Sequence, residues 1–292
     1  MTSSRPARVR IEEMRLERDY PGIAALFERE EWPFLRSDLE ISHAQPGAAA
    51  FVALQDGTLG GFFATHAFGE IGYLDMMIVA PEFRKLGVTR QLYSRTMQEL
   101  KRKGIRSFVV HTTNDSSPLI RFLGFRPGQT FTLLRREPLP GAKENLDTLA
   151  LGPEHQREVA ALDTLVFGMD RPSWIGGLLR QQGPRFFGLR RGTELAASLC
   201  LRPRRGEAYC LDLANARSFP DLAELVTRVV RGHAAHRLEC FVLTGSELHA
   251  LLQREGFSVP DFFKAIGPLV EWRRGPVGNV GTSPQVQCLA WF

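Results

Sequence analysis

A strand, a basic turn containing glycine and a helix follow one another directly at residues 78–89 of the chain. The apolar strand ends before Pro81, the turn carries Arg84, Lys85 and Gly87, and an amphipathic pattern of helical spacing follows. The first N–H groups of a helix have no partners inside the helix, and together with the helix dipole they attract an anion. Glycine lets the backbone approach such an anion closely. The segment therefore predicts a pyrophosphate site at the N-terminus of a helix.

Length and charge restrict the class of protein. A chain of 292 residues has room for two domains. Its net charge of +5 is spread evenly, with 20 Lys and Arg against 18 Asp and Glu in residues 1–150, and 17 against 14 in residues 151–292. Because there is no basic stripe, a nucleic-acid partner is not expected. No apolar run approaches the roughly 18 residues of a membrane span, and the first residues do not resemble a secretory signal, so a cytoplasmic protein without a membrane partner is predicted.

Cysteines are few and lie in the second half of the chain, at positions 200, 210, 240 and 288. None forms a CxxC pair, so the spacing indicates neither a metal site nor a disulfide framework. We expect them to be small buried side chains.

The pattern of apolar residues in the first half predicts a succession of strands and helices. Asp56-Gly57 indicates a tight hairpin between two apolar strands, and Gly104 ends the helix that begins at Val88. Asp19, followed by Pro21, predicts the start of an earlier helix. The predicted strands are 9–14, 48–55, 58–68, 69–80, 107–111 and 131–134, and the predicted helices begin near 19, span 88–103 and end near 123.

The second half repeats a unit of the first, in which a strand and a helix are followed by Gly-Phe. The repeated pieces are residues 108–110 with 123–125, and residues 241–243 with 255–257. Between the halves, residues 138–152 contain two prolines and two glycines and form a natural linker. The sequence therefore predicts two domains, residues 1–139 and residues 150–292.

The order strand, V-x-P-x-x-R-x-x-G, long helix, strand, polar turn, helix, Gly-Phe and strand resembles the GNAT superfamily of acyl-CoA-dependent N-acetyltransferases over about residues 9–136. The resemblance implies an α/β fold (an α+β mixed sheet) with two tandem GNAT-like domains, each a mixed, mostly antiparallel sheet flanked by helices. It also implies acetyl-CoA as the co-substrate and no metal.

The signature turn of that family, Q/R-x-x-G-x-G/A, is present here with Thr89 where Gly or Ala is usual. By resemblance, the backbone at the end of the strand pairs with the pantetheine arm, and the turn binds the pyrophosphate. The hydroxyl of Thr89 is itself able to donate to a phosphate. Asn114 is a further candidate for a cofactor contact, or else a helix cap. The other implied cofactor-binding residues are Ile78, Val79, Arg84, Lys85, Leu86, Gly87 and Val88.

Acetyl transfer to an amine needs one group that removes a proton and another that protonates the leaving thiolate. The candidate bases are Asp75, Glu70 and His111. The alternative role of Asp75 is to satisfy backbone groups at a bulge. The alternative for Glu70 is a solvated loop charge, and for His111 a hydrogen-bonded core histidine. Many family members have a tyrosine as acid four residues before the Gly-Phe glycine, where this chain has Ile120. Proximity of the substrates supplies much of the rate without it.

The second half has no V-x-P-x-x-R-x-x-G turn. Its counterpart, residues 212–221, lacks glycine and is acidic near the predicted helix start, so it disfavours a pyrophosphate. The pattern Leu-Val-Phe-Gly-x-Asp-Arg at 165–171 resembles the C-terminal domain of a bacterial subfamily of tandem GNAT acetyltransferases. We therefore expect a degenerate domain that binds no acyl-CoA and shapes the acceptor pocket. Asp170 and Arg171 are its candidate substrate contacts, or else a helix cap and its salt-bridge partner.

These residues together predict an N-acetyltransferase that acts on the amine of a small or amino-acid-like acceptor, as a monomer or homodimer. Three alternatives stay open from the sequence: a protein N-acetyltransferase, a non-catalytic acyl-CoA-binding or regulatory protein, and a pair of structural domains.

Overall fold

The computed structural model describes residues 9–113, 117–145 and 147–277. The chain divides into two compact units at Val109–Val110. Strands and helices alternate in both units, so the mixed α/β class predicted from the sequence is confirmed.

The first unit is a sheet whose strands follow the order of the chain. Neighbouring strands are antiparallel from the first to the fourth, and the fifth runs parallel to the fourth. Its elements are β1 (Arg10–Glu13), α1 (Leu16–Arg29), α2 (Arg36–His43), β2 (Ala49–Gln55), β3 (Thr58–Phe68), β4 (Ile71–Val79), α3 (Val88–Arg102) and the first half of β5 (Ser107–Thr112).

Helices cover both faces of this sheet. From α1, Phe27 packs edge-on against Phe62 of β3, with 6.0 Å between the ring centroids. From α3, the fully buried Leu92 lies over Gly61, where an added Cβ would be 3.2 Å from its Cδ1 atom. Successive side chains of a strand point to opposite faces, so the two helices lie on opposite sides of β3.

The second unit is a sheet with the strand order β12-β6-β11-β10-β9-β8-β7. Its strands are β6 (Arg126–Arg136), β7 (Leu149–Leu151), β8 (Arg185–Arg191), β9 (Glu194–Arg204), β10 (Ala208–Ala216), β11 (Arg237–Leu243) and β12 (Leu269–Arg274). Its helices are α4 (Ser117–Phe122), α5 (Gln156–Phe167), α6 (Pro172–Arg180), α7 (Phe219–Gly232), α8 (Glu247–Arg254) and α9 (Asp261–Ile266).

Each of the two units contains a pair of neighbouring parallel strands. In the first, β4 pairs with β5 over three residue pairs that end at Tyr73–Val109; in the second, β10 pairs with β11 over three pairs that end at Cys210–Glu239. On its other edge, β4 pairs with β3, and that pairing shifts register near the middle of β4. In the same way, β10 pairs with β9, and that pairing shifts register near the middle of β10. Each half therefore has a parallel pair that opens after three residues, which agrees with the repeat seen in the sequence.

Three local predictions differ from the structure. Helix α1 begins at Leu16, and Asp19 accepts the backbone N–H of Arg15 at 2.7 Å from inside the first turn, so this carboxylate is not the N-cap. Helices α2, α6 and α9 were not predicted, because they are only six to nine residues long and two glycines, Gly176 and Gly177, lie in the middle of α6. The compact units divide ahead of the linker at 138–152, because β6 pairs with β11 and β12. The division into domains 1–139 and 150–292 describes the repeat and stays a prediction.

Candidate functional site

The turn after β4 is anchored on two glycines of β3. The N–H of Ala80 donates to the carbonyl of Gly60 at 2.9 Å, and a short 3-10 turn at Pro81–Phe83 follows. An added Cβ at Gly60 would lie 2.2 Å from the ring of Phe83, so the aromatic ring rests directly on the strand backbone. The buried Val88 makes the corresponding contact at Gly61. The Gly60-Gly61 pair thus fixes where the turn lies, although it was not singled out in the sequence.

The N-terminus of α3 is open. Gly87 precedes the helix with a φ of +73°, offers no capping side chain, and has empty space where a Cβ would point. No acidic residue lies in the first turn of the helix. Lys85 also adopts a left-handed conformation, with a φ of +67°, and is exposed. Within the part of the chain that the structure describes, no carboxylate of the first turn therefore competes for the first N–H groups of α3, which is the arrangement that favours an anion.

The other basic residue of the turn, Arg84, is held by protein groups. Its Nε donates to the carbonyl of Val79 at 3.1 Å, and its Nη2 donates to Glu30 at 2.9 Å. Both side chains are accessible to solvent, so the ion pair is a surface contact of small energy. The guanidinium of Arg84 is therefore directed to the end of β4, and its role at the cofactor stays a prediction.

One edge of β4 is open over its second half. Pairing with β5 comprises the three pairs that start at Ile71 and end at Tyr73, and within the described residues no strand pairs with β4 beyond them on that side. The opening includes Ile78 and Val79, whose backbone was predicted to pair with pantetheine. The structure therefore places an unpaired strand edge next to the open helix end.

Asp75 is the extra residue of a bulge, because Met76 pairs with Ala64 and Leu74 pairs with Thr65. Its carboxylate contacts Nδ1 of His66 on β3, and the ring of His66 is completely buried. That ring stacks in parallel on Tyr73, with centroids 5.2 Å apart. Asp75 thus lies at a bulge, as one of its two predicted roles required, and forms a carboxylate–imidazole pair with a histidine that sequence patterns did not indicate.

The other two candidate bases differ in their surroundings. Glu70 lies in the turn between β3 and β4 with its side chain 67% exposed, 3.9 Å from Arg106. This is the environment of a solvated loop charge. His111 is 13% exposed on β5, and its ring lies edge-on to Phe131, with 5.8 Å between the centroids.

A carboxylate from the far end of the chain lies beside His111. Oε2 of Glu271, on β12, is 3.8 Å from Nε2 of His111. Nε and Nη2 of Arg273 donate to the two oxygens of Glu271 at 2.5 and 3.1 Å. Burial pushes the pKa of Glu271 upward, but His111 and Arg273 outweigh burial and leave the pKa below its usual value. The carboxylate is therefore ionised at neutral pH.

Helix α4 lies where the sequence predicted a helix before Gly124, and it includes Ile120 at the position where many relatives have tyrosine. Arg274 of β12 donates to the carbonyl of Leu123 at 3.0 Å and so fixes the end of this helix. Asn114, a candidate cofactor contact, lies outside the described residues.

The corresponding helix of the second unit, α7, has a closed N-terminus. The hydroxyl of Ser218 accepts the N–H of Asp221 at 3.3 Å, and Asp221 in turn accepts Nε of Arg191 at 2.8 Å. The hydroxyl of Ser218 also donates to the carboxylate of Asp221 at 2.6 Å, and this bond holds the pKa of Asp221 below its usual value. A negative charge therefore occupies this helix end.

The candidate substrate contacts of the second unit have protein partners. Arg171 is 2% exposed and donates to both oxygens of Asp163, at 2.9 and 2.6 Å. Asn215 also donates to Asp163, at 3.0 Å. Asp170 is exposed and accepts the hydroxyl of Thr164 at 2.9 Å. The alternative role drawn from the sequence was a helix cap, Asp170, with Arg171 as its salt-bridge partner. In the structure the salt-bridge partner of Arg171 is Asp163 instead.

The described cysteines, Cys200, Cys210 and Cys240, are buried free thiols, as expected. Burial raises the pKa of Cys210 to about 12, so this thiol is unreactive. Among the described residues, no group of three or more His, Cys, Asp or Glu side chains is arranged to hold a metal ion. None of the helices in the described ranges is long and apolar enough to span a lipid bilayer.

Comparisons with known proteins agree with this geometry. Residues 14–125 match the model of the acetyltransferase (GNAT) family. A putative acetyltransferase from Pyrococcus horikoshii is similar over 100% of this chain and 98% of its own, with 14% identity and a TM-score of 0.77. A tandem GNAT protein from the clavulanic acid biosynthesis pathway is similar over 93% of this chain and 99% of its own, with 14% identity and a TM-score of 0.62. A GCN5-related N-acetyltransferase from Sphaerobacter thermophilus is similar over 93% of this chain and 97% of its own, with 13% identity and a TM-score of 0.62. No curated protein sequence matches the chain.

Proposed function

From the match of residues 14–125 to the acetyltransferase (GNAT) family, we propose that the protein transfers an acetyl group from acetyl-CoA to the amine of a small or amino-acid-like acceptor. The family implies acyl transfer from an acyl-CoA. The choice of acetyl and of a small acceptor is the part proposed here.

The open N-terminus of α3 is the observation that carries the proposal. Gly87 leaves the first N–H groups of the helix uncapped, and no carboxylate of the first turn competes with a phosphate. The exposed Lys85 adds a positive charge that is free to approach the pyrophosphate. Beside it, the edge of β4 at Ile78 and Val79 has no strand partner within the described residues, so an extended pantetheine arm would add to the sheet there as a strand does. Such an arm would compete with Nε of Arg84 for the carbonyl of Val79.

A comparison of the N-terminus of α3 with that of α7 supports a single acyl-CoA site. In the second unit, Ser218 caps α7 and Asp221 puts a negative charge on its first turn. A pyrophosphate at that helix end would meet repulsion. We therefore assign the cofactor to the domain proposed at 1–139, and we propose that the domain at 150–292 contributes to acceptor recognition.

The chemistry requires a proton acceptor near the thioester, and the environments rank the three candidates. Glu70 is solvated and has no feature that directs it to a reaction. Asp75 and His111 are each largely shielded from water and each has a partner of opposite character, His66 for Asp75 and Glu271 for His111. A partly buried acid–base pair is suited to proton transfer from an ammonium group. We therefore place the base at Asp75 or His111.

Calorimetric titration with acetyl-CoA tests the cofactor site. Gly87→Glu places a negative charge where the pyrophosphate would bind, and we expect affinity to fall roughly tenfold or more. Gly57→Glu is the matched control, because Gly57 has a similar φ of +82° and equally open surroundings in the β2–β3 hairpin. The control should bind as the wild type does. Equal affinity of the wild type and the Gly87→Glu variant would show that the site is misplaced.

Acyl transfer is measured as thiol release during incubation with a panel of small amines, amino acids and peptides. We expect release with small amines. Binding of acetyl-CoA without release from any amine would favour a non-catalytic acyl-CoA-binding protein. Release with peptides alone would favour a protein N-acetyltransferase.

A further inference from the structure

The strand β12, which comes last in the described chain, brings a carboxylate to a candidate base on β5. Nε2 of His111 is fully enclosed and makes no hydrogen bond within the described part of the chain. Oε2 of Glu271, at 3.8 Å, is too far for a hydrogen bond but close enough for a direct charge interaction. One ring nitrogen of His111 thus faces an anion inside the protein.

The position of this carboxylate is built into the sheet. The pairing of β12 with β6 shifts register between Val270 and Trp272, so Glu271 lies opposite a bulge of β6. An added Cβ at Gly128 would be 2.7 Å from Oε1 of Glu271, so the missing side chain makes room for the carboxylate. The two bonds from Arg273 keep both oxygens in place. Glu271 is 5% exposed, which is rare for a glutamate unless it is paired, as it is here with Arg273.

We propose that Glu271 is a positioning residue that keeps the proton of the neutral His111 ring on Nε2, so that the lone pair of Nδ1 accepts the proton of the acceptor amine. This inference rests on the proposed acetyl transfer and deepens it. Which ring nitrogen of a histidine carries the proton is set by the partner of the other nitrogen, and a carboxylate facing Nε2 favours a proton there.

The step balances as follows. The amine nitrogen attacks the thioester carbonyl carbon, Nδ1 of His111 takes a proton from that nitrogen, and the carbon–sulfur bond breaks. The thiolate leaves and recovers the proton from Nδ1, so the products are an amide and the thiol of CoA. His111 returns to its neutral form, and no separate acid is required at the position of Ile120. Among the described residues, Glu271 of β12 is the charged group recorded against the ring, and Arg273 contacts Glu271. The β6 side chain against the ring is the neutral Phe131.

The test measures the ring directly. Nitrogen-15 spectra of histidine-labelled full-length protein distinguish the two neutral forms of His111, assigned with a His111→Asn variant. We expect the Nε2–H form in the wild type and a mixture of both forms in Glu271→Gln, which keeps the size of the side chain. Glu271→Asp should restore the Nε2–H form in part.

Turnover supplies the second readout. For Glu271→Gln we expect kcat to fall roughly tenfold. This loss is smaller than the 10²–10⁴-fold loss that is typical of removing the base itself. KM for acetyl-CoA should stay within about twofold, because Glu271 does not contact the proposed pyrophosphate turn. Glu239→Gln is the matched control: Glu239 is a strand carboxylate bonded by Nε and Nη2 of Arg135 at 2.8 and 2.7 Å. It should change neither the ring spectrum nor kcat.

Several results would overturn the inference. A proton on Nδ1 in the wild type, or a ring spectrum unchanged in Glu271→Gln, excludes the positioning role, even if that variant is less stable. Full turnover in His111→Asn with loss of turnover in Asp75→Asn assigns the base to Asp75 instead. Thiol release without a tautomer preference overturns the role of Glu271 alone. An intact preference without thiol release from any amine overturns the base role together with the proposed function.

Discussion

At the scale of single residues, the second unit depends on charges buried in pairs. Arg171 has its guanidinium 3.7 Å from the centroid of the Phe167 ring and donates twice to Asp163. Neither charge reaches water, since both side chains are 1% exposed. Removing one partner of such a pair leaves the other charged and desolvated, which costs far more than the pair itself contributes.

Arg171→Met should therefore lower the free energy of unfolding by about 3–5 kcal/mol. KM for the acceptor amine should be the same as in the wild type, when it is measured at a temperature where the variant is folded. Asp170→Asn, an exposed neighbour, should change stability by less than about 0.5 kcal/mol. If Arg171 instead contacts the acceptor, Arg171→Met would raise KM for the amine and leave the urea midpoint in place.

At the scale of secondary structure, the turn that carries the cofactor site depends on β3 underneath it. Gly60 accepts the N–H of Ala80 and lies under the ring of Phe83. The later part of the turn adds no buried side chain, because Lys85, Leu86 and Gly87 are exposed. The strand therefore determines the position of the open helix end.

Gly60→Ala should destabilise the protein by about 1–3 kcal/mol, because the new methyl group displaces Phe83, and it should weaken acetyl-CoA binding measured by calorimetry. Gly60→Ala combined with Phe83→Leu removes the ring that the methyl group meets, and it should recover part of both losses. An affinity that is unchanged in Gly60→Ala would mean that the turn keeps its shape without this contact.

The sequence predicted much of the first unit at this scale and less of the second. Strand β3 and helix α3 have long, regular patterns, and the Asp56-Gly57 turn joins two of the strands with φ values of +51° and +82°. The open edge of β4 and the pairing of His66 with Asp75 arise from the bulge, which depends on strand register and has no local signal. Glu271 was out of reach for the same reason: 160 positions separate it from His111 in the chain.

At the scale of the molecule, the segment between the predicted domains is attached to α7. The N–H of Leu139 donates to Ala234 at 2.8 Å and that of Asn145 donates to Gly232 at 3.0 Å. Glu144 lies 3.4 Å from Nε2 of His233 and accepts Arg185 at 2.5 Å. The linker seen in the sequence is thus attached to the second unit by hydrogen bonds and ion pairs, although most of its described residues are exposed.

This arrangement predicts a loss of stability in mild acid. Burial lowers the pKa of His233 below 6.5, against the weaker opposing effects of the hydrogen bond to the Val229 carbonyl and of Glu144, and burial also lowers the pKa of His249. Both rings bind protons more readily in the unfolded chain, so stability is complete above about pH 6.5 and falls as the pH decreases below that value. Urea midpoints from pH 8 to pH 5 should decrease through this window.

The variant His233→Gln should show a flatter dependence over the same range, since one of the two titrating rings is gone. The carboxylate of Glu144, whose pKa is below its usual value, contributes only at lower pH. Midpoints that rise from pH 7 to pH 5 would contradict the burial of neutral rings.

The pairing of β6 has a consequence for how the protein is made. Its two neighbours in the sheet, β11 and β12, begin about 100 and 130 residues later in the chain. At ribosomal rates of roughly 5–20 residues per second, β6 leaves the ribosome on the order of 5–20 seconds before its first partner exists. Throughout that interval, the strand that follows the Gly-Phe signature has both edges unpaired and is exposed to chaperones and to other nascent chains.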